Sequence, residues 1–108
     1  MNINCKGRVN VTTPGTPVPL SVDPAVRASK LFFQVIPGLT GKTYVGTAAM
    51  AKATLAGCAR ILWPNSAGGF SETFFIEAQD GEDSIRLMDY AIDADVAGEG
   101  LLVTYWTE

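Results

Sequence analysis

The residues of this sequence with a claim to chemistry fall into a few short stretches. Gly38-Leu39-Thr40-Gly41-Lys42-Thr43 ends like a phosphate-binding loop, and Asp93-Ala94-Asp95-Val96-Ala97-Gly98-Glu99-Gly100 opens like a calcium loop. Glu72, Glu77, Asp80, Glu82, Asp83 and Asp89 supply carboxylates for acid–base work. The first stretch lacks the leading glycine of a phosphate loop, where Ile36 stands, and Tyr44-Val45-Gly46 continues it as strand. Without a helix N-terminus there is no cradle of amides for phosphate. The second stretch has Ala97 where the third oxygen ligand belongs and Thr104 where the closing Glu belongs, with no helix expected on either side. The carboxylates select no pair, since none lies in an apolar context that would raise its pKa. Both loops therefore read as turn chemistry: a hairpin loop whose glycines take positive φ, and a solvated turn that keeps acids at a sheet edge.

Composition removes further chemistry. The chain of 108 residues contains no histidine, which excludes histidine triads, histidine-ligated metals and histidine pH switches. Cys5 and Cys58 form no Cys-x-x-Cys pair and read as two buried thiols, without a disulfide. No catalytic residue, metal or cofactor is assigned, and the chain reads as non-enzymatic. Eight Lys and Arg against eleven Asp and Glu, with every cation isolated, disfavour nucleic acid. No run approaches the ~20 apolar residues of a membrane span, and MNINCKGRVN is polar, without a signal-peptide core. The expectation is a soluble, untargeted chain with no membrane partner. With 47% hydrophobic residues it is apolar for its size, which leaves surface for a partner to cover.

These stretches are positioned by strands. Ile3, Cys5, Gly7, Val9 and Val11 alternate with polar residues and predict a half-buried first strand. Pro14 and Pro17 stop it, and Val18-Pro19-Leu20 can be only an edge strand. Ala25–Ser29 leads into the next strand. Over Leu31–Gly46 two apolar runs flank a Pro-Gly, Gly-Lys turn cluster, which predicts a strand pair with Leu31, Phe33 and Val35 on one face. Thr47–Gly57 has helical local propensity among strand neighbours, and loop plus a short strand is favoured over a helix. Ala59–Trp63 is a short strand stopped by Pro64, and Asn65–Gly69 an exposed loop. Glu72–Gln79 is a strand with Phe74 and Ile76 opposite Thr73, Phe75 and Glu77; Asp80–Asp83 is a turn. Ser84–Ile92 mixes periods, and Leu101–Trp106 is the last strand. Seven or eight short strands in one domain, residues 1–108, predict an all-β fold: a small antiparallel β-sandwich or jelly-roll-like barrel with turn-rich loops and at most one short helix.

Aromatic residues are the remaining resource. Phe32, Trp63, Phe70, Phe75, Tyr105 and Trp106 are candidate interface anchors, with core packing as the alternative use of each. Phe32 and Phe33 are adjacent on one strand and point to opposite faces, so one of them needs cover from a second layer or a partner.

Two blocks carry a resemblance. Leu31–Gly46, an apolar strand and a turn closing on Gly41-Lys42-Thr43-Tyr44-Val45-Gly46, and Asp89–Trp106, reading Asp89-Tyr90-Ala91-Ile92-Asp93-Ala94-Asp95 and then Gly98-Glu99-Gly100 before an apolar strand with Tyr105, resemble small virion proteins of tailed bacteriophages. The type is the capsid decoration or cement protein, and the two blocks span about a third of the chain. The resemblance implies a β-sandwich or jelly-roll module that assembles as a homo-oligomer, a dimer or trimer. It also implies binding to the major capsid protein on the virion surface after assembly in the host bacterial cytoplasm, where cysteines stay reduced. Two other functions stay open: a tail or head-fibre-associated structural protein, and a carbohydrate-binding β-sandwich, for which Trp63 beside Asn65 and Ser66 is the candidate place.

Overall fold

The structure, a computed structural model, describes residues 2–64, 72–79 and 82–107. In chain order the strands are β1 (Asn2–Asn10), β2 (Val18–Pro19), β3 (Arg27–Ala28), β4 (Lys30–Val35) and β5 (Thr43–Ala51). They continue as β6 (Ala56–Leu62), β7 (Thr73–Glu77), β8 (Ile85–Arg86), β9 (Tyr90–Ala94) and β10 (Gly100–Thr107). One four-stranded sheet has the order β1-β10-β4-β7, a second the order β2-β9-β5-β6, and β3 pairs with β8 as a short ribbon. Every pairing is antiparallel. The fold is an all-β sandwich, and the one helical element among the described residues is a 3-10 turn at Leu87–Asp89.

Alternation builds the core. Leu31, Phe33 and Val35 of β4, with Leu101 and Val103 of β10, point inward and are buried. They meet Val45, Leu62, Ile92 and Ala94 of the second sheet in one apolar cluster, closed at its margin by Val11, Leu20 and Leu87. On β7, Phe74 and Ile76 join this cluster while Thr73, Phe75 and Glu77 face out, as the alternation predicts. Phe33 stacks on Phe74 at 6.3 Å between ring centroids, and the Arg60 guanidinium of β6 lies 5.8 Å from the Phe74 ring, which ties the two sheets at that side. On the opposite side, β2 is an edge strand carrying Pro19, which has no N–H to offer beyond the sheet.

The structure corrects four expectations. Leu31–Gly46 is not a hairpin: β4 pairs with β10 and β7 in one sheet, β5 with β6 and β9 in the other. The intervening residues cross between layers, because both strands bury their apolar face toward the same core and each obtains two flanking partners this way. Of the loop glycines, Gly38 has φ of 92° and Gly41 is not in that region. Thr47–Gly57, by contrast, follows the favoured reading and carries no helix; β5 runs on to Ala51, turns and returns as β6, since Met50 gains burial against Tyr44 and Ala91 that outweighs the local propensity of the alanines. Along β1 the predicted phase breaks. A bulge between Cys5 and Gly7, with Gly7 at φ 82°, inserts one residue, so Val9 faces the core while Ile3 is 63% exposed. Cys5 is exposed for the same reason, and Cys58 is half-buried; both are free thiols. The predicted Asn65–Gly69 loop, and Asp80 and Gly81 of the predicted turn, lie outside the described residues.

At Gly100 the backbone of β1 leaves no room for a side chain on β10. A Cβ at this position would collide with the Val9 carbonyl and stand 2.8 Å from the Asn10 Cα, and none of these is the movable end of a side chain. Gly100→Ala is expected to cost about 2–3 kcal/mol and to lower the urea midpoint of unfolding; an unchanged midpoint would contradict this packing.

Candidate functional site

Cross-strand register places three rows of side chains on the outer face of the β1-β10-β4-β7 sheet. They are Ile3, Trp106, Lys30 and Glu77; Cys5, Thr104, Phe32 and Phe75; and Arg8, Leu102, Gln34 and Thr73. Phe75 is 52% and Leu102 40% exposed, and with Ile3 they flank the half-buried Phe32 and Trp106. Phe32 meets Trp106 edge to face, with centroids 6.3 Å apart and planes at 86°. The Lys30 ammonium sits 4.8 Å from the Phe75 ring and 5.5 Å from the Trp106 ring, within reach of both π-faces. An aromatic patch with one cation at its middle is the result.

The six aromatic candidates separate accordingly. Phe32, Phe75 and Trp106 are brought together on this face. Tyr105 points the other way, packs against the core and lines a groove of about 340 Å³ with Asn4, Lys6, Val26 and Leu87. Trp63 is 57% exposed but follows β6 of the second sheet, with the Lys42 ammonium 5.0 Å from its ring. Phe70 lies outside the described residues. Ile3, Lys30 and Leu102 were absent from the sequence candidates. Leu102 was accessible to strict alternation along β10, whereas Ile3 was concealed by the bulge.

The two loops that imitate ligand sites bind one another. Glu99 Oε2 accepts the Thr40 N–H at 2.9 Å and the Thr40 hydroxyl at 3.0 Å, while Oε1 accepts the Gly41 N–H at 3.0 Å. An internal carboxylate thus takes the amides that a phosphate would use. Nearby, Asp95 Oδ1 accepts from the Tyr44 hydroxyl and from Lys52 Nζ, each at 3.0 Å, and Lys52 also donates to the Ala94 carbonyl. Burial and this bond push the Tyr44 hydroxyl up to about 12. Burial, helped by the field of Asp93, also raises the Cys58 thiol, which stands 3.8 Å from Met50 Sδ. Asp93 is buried; its Oδ1 accepts the Gly15 and Ala94 N–H groups, and its Oδ2 has no hydrogen-bond partner among the described residues.

Of the carboxylates considered for acid–base work, Glu72 accepts the Trp63 N–H at 2.6 Å and Asp89 binds Arg86 at 2.9 Å. Glu77 stands opposite Lys30, and Asp80 lies outside the described residues. No protein-family model, curated protein or solved structure matches the chain.

Burial opposes ionisation of Glu99 and Asp95, but the donors from Thr40 and Gly41, and from Lys52 and Tyr44, outweigh it and hold both carboxyls below their ordinary values. Stability from these groups is therefore full above the ordinary carboxyl range, begins to fall below about pH 4.5 and is lost as pH drops through their lowered values. Glu99→Gln should lower stability at pH 7 by roughly 1–2 kcal/mol and flatten the loss between about pH 4.5 and 2, in urea titrations repeated across pH. An acid limb as steep as the parent's would show that the Glu99 contacts do not form.

Proposed function

We propose that this chain is a non-enzymatic structural protein of a tailed-phage virion, a capsid decoration or cement protein. It lays the outer face of the β1-β10-β4-β7 sheet on the shell of major capsid protein and so bridges neighbouring subunits. The single observation carrying the reading is that aromatic face, which the described chain leaves open with Ile3, Phe75 and Leu102 exposed where the solvated face of an antiparallel sheet normally carries polar residues. The wording of Leu31–Gly46 and Asp89–Trp106 supports the choice of partner.

Size fits a repeated, individually weak contact. Four strands about 4.8 Å apart and about five residues at about 3.3 Å each give roughly 300 Å² of face. That is well under the ~800 Å² a partner contributes to an interface of standard size, so occupancy depends on many copies acting together. The carbohydrate reading is disfavoured because the Lys42 ammonium covers one face of the Trp63 ring, where a sugar would stack.

Purified protein mixed with expanded capsids should co-sediment at near-stoichiometric occupancy. Phe75→Glu combined with Leu102→Glu should reduce that binding at least tenfold while leaving the thermal midpoint close to the parent's, since both side chains lie on the open face and outside the core cluster. Absence of binding to any head form would sink the proposal, and intact binding by the double variant would move the interface to another surface.

A further inference from the structure

We propose that copies of this chain also associate with one another edge to edge, β1 of one copy adding to β7 of the next so that the β1-β10-β4-β7 sheet continues from subunit to subunit. The inference concerns the chain alone and does not depend on the capsid reading. Among the described residues β1 and β7 are the two outer strands of this sheet. Because three antiparallel pairings separate them, they run in opposite directions. A second copy in the same orientation therefore presents β1 antiparallel to β7, the pairing used everywhere else in the sheet.

Charge selects this arrangement over the alternatives. β1 carries Lys6 and Arg8 and no acid, whereas β7 carries Glu77, follows Glu72 and has no base. Two β1 edges repel each other, as do two β7 edges, and the unlike edges attract. Among the described residues Arg8 donates to the neutral Asn10 Oδ1 and Gly98 carbonyl, with Glu99 near enough to feel its charge, and neither Arg8 nor Lys6 forms an ion pair. Lys30, opposite Glu77, is turned over the Phe75 and Trp106 rings instead of pairing with it. On the β1 side of the sandwich the other sheet ends in β2, whose Pro19, preceded by Pro17, makes it a poor template. The charges and the bulge that keep β1 from pairing with arbitrary strands thus become selectivity for an acidic edge.

If the rows continue without a shift, the neighbour's Ile3 falls beside Glu77, its Cys5 beside Phe75 and its Arg8 beside Thr73, next to Glu72. The contact is head to tail, so it yields a ring of three or more copies where the rotation per copy closes and an open filament where it does not, and not a two-fold dimer.

Sedimentation velocity and native mass spectrometry on four proteins test this. The parent should form a concentration-dependent assembly larger than a dimer. Lys6→Glu/Arg8→Glu and, separately, Thr73→Lys/Glu77→Lys should each weaken self-association at least tenfold, with circular dichroism reporting an unchanged fold. Mixing these two variants should restore assembly, as should the fourth protein, which carries all four substitutions. A second readout uses the native thiol: mild oxidation of Phe75→Cys should yield a ladder of disulfide-linked chains in which peptide mapping joins the introduced thiol to Cys5 of a neighbour. A parent that stays monomeric at its highest soluble concentration would overturn the proposal. So would a dimer linked through Cys5 to Cys5, or failure of the mixed and quadruple proteins to recover.

Discussion

A two-layer sandwich buries one face of each sheet and leaves the other face of each to be settled separately, and this constraint organises the molecule. The inner faces share one cluster in which Phe33, Leu31, Leu101 and Val103 press against Val45, Ile92 and Leu62. The outer face of the β2-β9-β5-β6 sheet is closed by the chain itself. There Met50 from the far end of β5 packs with Tyr44, Ala91, Cys58 and Ile61 into a second small core, and Lys52 reaches across to the Ala94 carbonyl and Asp95. The outer face of the β1-β10-β4-β7 sheet has no such cover among the described residues, and it is there that Ile3, Phe32, Phe75, Leu102 and Trp106 collect. Two equivalent outer faces are thus treated unequally: one is closed by the chain, and the other is left open among the described residues.

Polar contacts then fix the end of the sandwich at which the layers exchange strands. The connection from β4 to β5 changes sheet, and so does the one from β9 to β10. The two crossings run side by side and are fastened by Glu99 to Thr40 and Gly41, with Asp95 bonded to Tyr44 and Lys52. Charged acceptors on backbone N–H groups are among the stronger hydrogen bonds available, and here they hold two loops that would otherwise be free to splay. The residues that most resemble ligand sites in the sequence are occupied by each other, which is a structural use of the same chemistry.

How much of this was legible in the sequence depended on whether the information was local. The inward row of β4 and the two faces of β7 follow directly from period-2 alternation, Pro19 sits on an edge strand as its missing N–H requires, and β6 ends two residues before Pro64. Alternation says which face a residue takes but not which strand lies beside it, so the two halves of Leu31–Gly46 were read as partners when they belong to different sheets. The alanines of Thr47–Gly57 favour helix only while their tertiary contacts are ignored. Gly7 was the one visible sign of the bulge that turns Ile3 and Cys5 outward, and an uninterrupted alternation hid it. For the candidate face, Phe32 and Phe75 were recoverable from strand patterns. Tyr105 and Trp106 are adjacent on β10 and cannot share a face, so only one of them belongs to it.

Lys30 limits what can cover that face. Its ammonium lies between the Phe75 and Trp106 rings, and water still reaches it while the face is open. Burying an unpaired ammonium costs several kcal/mol, more than the cation–π contacts return, so a purely apolar surface is a poor fit. A partner must either bring a carboxylate or carbonyl to the middle of the patch or leave room for Glu77, directly opposite on β7, to swing onto Lys30. In the second case Glu77 is drawn away from the sheet edge, and the acidic character that distinguishes β7 from β1 declines. Engagement of the face and pairing at the edge would then draw on the same carboxylate, so a covering partner that supplies its own acceptor permits both contacts together, and one that does not sets them in competition.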